Sequence, residues 1–142
     1  MNSDVERVWD GYADAFDEEA DHGLRDPQVR AAWQALLTPL LPEQPVRIAD
    51  LGCGTGSLAV LLAEQANRVS GVDISGEMIR LAQAKARAAG VDVNLVQGDA
   101  ADPPFAAASF DVVLARHVLW AFENPHAVVA TLCGFALPGR VA

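Results

Sequence analysis

Val46-Arg47-Ile48-Ala49-Asp50-Leu51-Gly52-Cys53-Gly54-Thr55-Gly56 is the stretch that decides the fold of this chain. An apolar run ends in Asp50, and Gly52, Gly54 and Gly56 follow at alternate positions. Leu58, Leu61 and Leu62 then begin a helical repeat. The order is strand, tight glycine loop, helix. Without Cβ atoms the loop can turn sharply and bring its main chain against a ligand. The helix start behind it presents unpaired N–H groups and a partial positive charge, which suits a small polar, nucleotide-like ligand. The spacing is G-x-G-x-G after an acid, not the G-x-G-x-x-G of dinucleotide sites. A carboxylate at Asp50 repels a pyrophosphate and attracts a cation.

Outward from this loop the chain alternates. Upstream, residues 3–19 pattern as an amphipathic helix with Val5, Val8, Trp9, Tyr12 and Phe16 on one face and acids on the other. Asp26-Pro27 caps a second helix that runs to about Leu41, with Val29, Trp33, Leu36, Leu37 and Leu40 inward. Downstream, the glycine loop leads into a helix at 57–66, and a strand at 68–72 ends at Asp73. Ser75 caps a helix carrying Met78, Ile79, Ala82 and Ala86 that stops near Gly90. A strand at 91–96 ends in Gln97-Gly98-Asp99, and another covers 110–114. A last helix starts at Pro125 and ends near Leu137, before Pro138-Gly139. Such alternation predicts an α/β, Rossmann-like parallel sheet with helices on both faces. Right-handed crossovers give it the strand order 3-2-1-4. The switch point between strands 1 and 4 then places the glycine loop and strand 4 around one crevice.

Composition sets further bounds. The 142 residues are 51% hydrophobic and 20% charged, which suits one globular domain. No apolar run reaches the roughly 20 residues of a membrane span, and the acidic start has no apolar leader, so the expected setting is cytoplasmic. Cys53 and Cys133 have no metal-binding spacing and read as free thiols. Cys53, between two loop glycines, reads as a small packed residue rather than a nucleophile. The net charge is −9, of which residues 1–26 carry −7: nine acids, mostly on a solvated helix face, against Arg7 and Arg25. That balance argues against a nucleic-acid partner.

The acidic residue, the glycine loop and the ends of the later strands together resemble the class I S-adenosylmethionine-dependent methyltransferases, over roughly residues 46–140. The resemblance implies an S-adenosylmethionine site built from Asp50, Gly52, Cys53, Gly54 and Gly56 at the first loop. Asp73 is the carboxylate for the ribose hydroxyls, and Ile74 and Met78 flank the adenine. Gly98-Asp99-Ala100 meets the adenine edge. Arg116 lines the methionine part, more through main chain than side chain, and His117 beside it does the same. In many small-molecule members an N-terminal helix covers the cofactor. Tyr12 and Phe16 fit that role and fit core packing equally, so residues 1–45 read as a helical lid and 46–142 as the cofactor-binding half-domain. His22 and His117 are the weak candidates for a general base; His126 is no better. Leu137-Pro138-Gly139-Arg140 matches the family's turn before a fifth strand.

Two departures qualify the resemblance. Asp102-Pro103-Pro104-Phe105 matches the D-P-P-[YF] signature of amino-directed methyltransferases, but precedes strand 4 instead of following it. The sequence also ends where strand 5 is expected, so strands 5–7 are lacking. A fragment of a longer enzyme, a sheet edge covered by a second copy of the chain, and a degenerate relative all fit. The expected activity is methyl transfer to a small molecule. The alternatives are an NAD(P)-linked oxidoreductase, suggested by the shared ribose carboxylate, and a non-catalytic cofactor-binding or assembly module.

Overall fold

The computed structural model describes residues 3–43 and 45–136. Helices α1 (Ser3–Phe16), α2 (Ala20–Gly23) and α3 (Pro27–Leu37) precede β1 (Arg47–Leu51). Then follow α4 (Ser57–Glu64), β2 (Arg68–Asp73), α5 (Gly76–Ala89), β3 (Val93–Gln97), β4 (Val112–Ala115) and α6 (Pro125–Cys133). The strands form one parallel sheet in the order β3-β2-β1-β4, as the alternation requires.

Local chemistry sets most of the boundaries. Asp26 caps α3 by accepting from the Gln28 N–H at 2.8 Å, with Pro27 in the first turn. Ser75 caps α5 by accepting from the Met78 N–H at 3.1 Å, and Gly90 closes it in the left-handed conformation. Central strand β1, paired on both sides, is buried from Ile48 to Leu51. On one face of the sheet Ile48, Val69, Val112 and Leu114 pack against Leu58, Leu61 and Leu62 of α4, with Leu37 of α3 and half-buried Trp33 beside them. On the other face Ala49, Leu51, Val72 and Val113 meet Leu132 of α6 and Phe110. The alternation of strand residues between the two clusters is the period of two that a sheet covered on both faces demands.

Gly56, the third loop glycine, serves packing. It has φ 80°, and a Cβ there would lie 2.8 Å from the Cβ of Ala82, so its bareness lets α4 and α5 approach. This is the role that the third glycine of dinucleotide loops plays.

Several expectations are corrected by the tertiary contacts. The stripe on α1 is not core: Val5, Val8 and Tyr12 are exposed, and only Ala13 of this helix is buried. The helix docks through Glu6, Asp10 and, in the residue just past its end, Asp17, which recur with Ala13 at helical spacing and so share one face. Leu36 and Leu40 are also exposed. The buried side of α3 runs Val29, Trp33, Leu37, and the chain then tightens into a 3-10 turn, Thr38–Leu40, which rotates Leu40 away. Helix α6 stops at Cys133, and β4 starts two residues late because Phe110 is already engaged. Its N–H donates to the Phe135 carbonyl at 3.1 Å, and it forms a parallel bridge with Ala136. Pairing on the outer side of strand 4 thus begins before the Leu137-Pro138-Gly139-Arg140 turn, which lies outside the described residues. So does the segment that ends at Ala142; strand 4 itself, the edge expected to be open to self-association, is described, with this bridge at Phe110.

Gly56→Ala should destabilise the fold by about 2 kcal/mol, from overpacking against Ala82 and a strained positive φ. Urea unfolding of the two proteins measures the difference.

Candidate functional site at the carboxyl ends of the strands

The β1–β2 register sets Leu51 beside Val72 and the β1–β4 register sets Asp50 beside Leu114, so the loops after β1, β2 and β4 leave the sheet side by side. The N–H groups of Gly52 and Cys53 both donate to the Val72 carbonyl, at 2.8 and 3.0 Å, which folds the glycine loop over the end of β2. Asp73 then ties two loops together. One carboxylate oxygen accepts from the Gly54 N–H and the other from the Ser75 N–H, each at 2.9 Å. These bonds leave part of the carboxylate's acceptor capacity, about four lone-pair sites, for a ligand. Burial pushes the Asp73 carboxyl above its ordinary range, against the pull of these N–H groups.

A cavity of about 690 Å³ opens over this edge, within the range that holds a small-molecule ligand. Its wall includes Asp50, Gly52, Cys53, Gly54, Asp73, Ile74, Met78, Asp99, Ala100, Arg116 and His117, and from the N-terminal segment Phe16 and His22. Residues as far apart in sequence as Phe16 and His117 therefore share one hollow. Asp99 sits in a turn, accepting from the Ala101 N–H at 2.8 Å. Asp50 is the unusual group. It is 3% exposed, and burial lifts its pKa to about 7, with Asp73 adding repulsion and Arg116 opposing. No hydrogen bond to another described residue offsets that burial. A cation in the cavity would do so.

Three expected site residues lie elsewhere. Tyr12 is 61% exposed and off the cavity wall, because the docking face of α1 turns it outward; its neighbours Trp9 and Phe16 line the wall instead. Gly56 packs on Ala82, away from the hollow. Gly98 is also off the wall, and a Cβ there would meet Val72 and Pro104 at 3.0 and 3.3 Å. The Asp102-Pro103-Pro104-Phe105 segment is also outside the wall, with Phe105 packed edge-on against Phe110 at 5.0 Å.

Side chains refine other readings. Cys53 is buried, and burial pushes its thiol well above the ordinary range, so it is an inert packing residue. Arg116 acts through its guanidinium as well as its main chain: it donates to the Asp21 carbonyl and lies 4.7 Å over the Trp33 ring, clasping the α2 turn to the end of β4. His22 stacks on Phe16 at 4.1 Å and stands edge-on to His117 at 5.8 Å. Burial lowers its pKa, which keeps the ring neutral near pH 7.

A polar lock went unread in the sequence. The Lys85 ammonium donates to Asp17, Thr55 and Ser57 at 2.8, 3.1 and 2.8 Å. The Thr55 hydroxyl donates in turn to Asp17, and the Ser57 hydroxyl to the Gly23 carbonyl. Farther along α1, Asp10 accepts from the Ser75 hydroxyl and from the Glu77 N–H at the start of α5, and Glu6 meets Gln97 at 2.9 Å. The available signal was Lys85 itself, a charge three and seven residues on from the apolar positions Ala82 and Met78, hence on the buried side of α5.

With this geometry in hand, comparison with known proteins places the chain. A family model described as a methyltransferase domain matches residues 49–139, and the chain belongs to that family. It is 31% identical over 128 residues to the demethylmenaquinone methyltransferase of Porphyromonas gingivalis, covering 87% of this chain and 52% of that protein. Among solved structures, an S-adenosylmethionine-dependent methyltransferase from Methanococcus maripaludis shares the fold, with TM-score 0.79 at 19% identity over 94% of this chain and 63% of that one. Magnesium protoporphyrin IX methyltransferase of Synechocystis, solved with S-adenosylmethionine bound, gives TM-score 0.66 at 28% identity over 77% of this chain and 53% of that one. The matched stretch spans from 28% to 53% of the curated relatives' length. No helix among the described residues is long and apolar enough to cross a membrane.

Two measurements follow. Lys85→Ala should cost about 2 kcal/mol of stability, below the ~3–5 kcal/mol for breaking a fully buried ion pair because this pair is only partly buried, read by urea unfolding. The raised pKa of Asp50 has a definite sign: between its ordinary 3.8 and about 7 the folded state holds the proton and the unfolded chain does not. Its contribution therefore favours folding at low pH and is lost as pH rises from about 4 to about 7. Unfolding across that window should show less of this fall in Asp50→Asn than in the parent.

Proposed function

We propose that this chain binds S-adenosylmethionine in the cavity at the strand ends and, with the whole protein around it, transfers a methyl group to a small molecule. The observation that carries the reading is Asp50: a buried carboxylate on the wall of a small-molecule-sized cavity, next to an Asp73 whose loop contacts leave acceptor capacity free. S-adenosylmethionine supplies, when bound, an activated methyl group on a sulfonium, together with an ammonium and a ribose diol.

The donor set fits that group. Asp50 offers the negative charge for a cationic centre, and the cavity removes water that would weaken the attraction. Asp73 would hold the ribose hydroxyls through its remaining acceptor capacity, while Gly54 and Ser75 keep it aimed. Ile74 and Met78 give an apolar slot for a flat base, with Asp99 and Ala100 at its edge. Gly52 and Gly54 leave the main chain bare. Val118 and Phe16, whose atoms a Cβ at these glycines would meet at 2.8 and 3.0 Å, form the roof. In this reading residues 1–45 act as a cap fastened by the Lys85 lock. The leaving group in such a transfer is neutral, so the protein's part is positioning and desolvation. A proton acceptor is needed only for an acceptor that carries a proton, and neutral His22 on the cavity wall is the residue suited to take it.

A small-molecule acceptor goes with relatives whose names give such substrates, demethylmenaquinone and nocamycin among them. The acidic surface argues against nucleic acid. The free thiols Cys53 and Cys133 suit the cytoplasm.

Isothermal calorimetry with S-adenosylmethionine and S-adenosylhomocysteine tests the cofactor. Both should bind. Asp73→Asn should weaken each by about tenfold or more, the worth of hydrogen bonds to a charged group. A folded protein that takes up neither compound would overturn the reading.

A further inference from the structure

The cavity extends beyond the strand-end carboxylates, and its far wall has a chemistry of its own. Trp9 comes from α1; Trp120 and Phe122 come from the segment between β4 and α6; Val128 comes from α6. The two tryptophan rings touch, with centroids 6.1 Å apart, and Trp9 continues outward to Tyr12 at 6.2 Å. Trp120 lines the cavity yet remains 71% exposed. A side chain of this size gives much of its contact energy only when covered. An exposed aromatic rim continuous with a binding cavity is a surface waiting for a ligand.

Charge narrows the class of ligand. Four carboxylates, Asp50, Asp73, Asp99 and Glu123, line the same cavity. Its one guanidinium, Arg116, is spent on the Asp21 carbonyl and the Trp33 face, and no lysine of the described residues lines the wall. A carboxylate or phosphate on the acceptor would thus meet repulsion with nothing free to pair it.

We infer that the methyl acceptor is a flat, apolar molecule without an anionic group, seated against Trp9, Trp120 and Phe122. This rests on the reading of the strand-end cavity as a cofactor site, and deepens it by naming the class of the second ligand. Trp120 is a specificity-determining residue on this account, separate from the groups that hold the cofactor.

A matched pair of probes tests it on the full chain saturated with S-adenosylhomocysteine: 2-naphthol, and 2-naphthoate, which has the same rings with a carboxylate. Ligand-observed NMR titration should show 2-naphthol binding and 2-naphthoate at least about fivefold weaker. Trp120→Ala, a mostly exposed position, should weaken 2-naphthol by about fivefold and leave S-adenosylhomocysteine affinity, read by calorimetry, unchanged. Equal or tighter binding of 2-naphthoate, no binding of 2-naphthol, or indifference of 2-naphthol to Trp120→Ala would each overturn the proposal. The probe pair on the parent protein decides the charge preference even where the variant misfolds. If S-adenosylhomocysteine itself does not bind, the cofactor reading fails. The same pair titrated alone then still decides whether the aromatic wall selects against an anion.

Discussion

The Asp73 carboxylate is the joint on which the site turns. It sits at the end of β2 and accepts one N–H from the loop after β1 and one from the start of α5. Two βα connections are thereby held at a fixed distance by a single side chain. The link is compatible with burial because both oxygens are satisfied by backbone donors, which offsets much of the cost of removing a charge from water. Asp50, one strand over, is buried without such backbone donors, and burial raises the pKa of both acids. Two acids in the same hollow thus do different work: one organises the loops, and the other holds unspent electrostatic demand.

Around this joint the N-terminal segment is attached by polar chemistry. An amphipathic helix ordinarily buries its apolar stripe. Here α1 and Asp17 just after it present acids to the Ser75 hydroxyl that caps α5, the Lys85 ammonium of α5 and the Thr55 hydroxyl of the glycine loop, and α1 turns part of its aromatic stripe toward the cavity. Asp10 also lies at the N-terminus of α5, where the helix dipole favours a negative charge. Such contacts fix orientation through directional bonds, whereas an apolar interface could slide. Trp9 and Phe16 are consequently presented to the ligand side of the fold. That the aromatic residues of this helix are not core residues is the largest difference between the periodic pattern and the packed molecule.

The strand ends were legible for a physical reason. Gly52, Asp73 and Asp99 are marked by short-range chemistry: a positive φ, the end of an apolar run, and a turn closed by the aspartate's own side chain. Tyr12 misled because helical periodicity reports which residues share a face, and says nothing of what that face meets. Lys85 was missed because its partners, Asp17 and Thr55, are 68 and 30 positions away. The start of β4 was displaced because Phe110 pairs with residues after α6.

By itself the sequence determined the order of strands and helices, the β3-β2-β1-β4 sheet, the caps at Asp26 and Ser75, and the clustering of Asp50, Asp73 and Asp99 at one edge. Each of these follows from neighbouring residues or from the handedness of the crossover. Only the tertiary structure decided that Gly56 packs a helix pair, that Arg116 clasps the α2 turn, and that Trp9 and Trp120 meet at the cavity mouth. Those outcomes depend on which remote surfaces come within a few ångströms of each other, and no local pattern of residues encodes that distance.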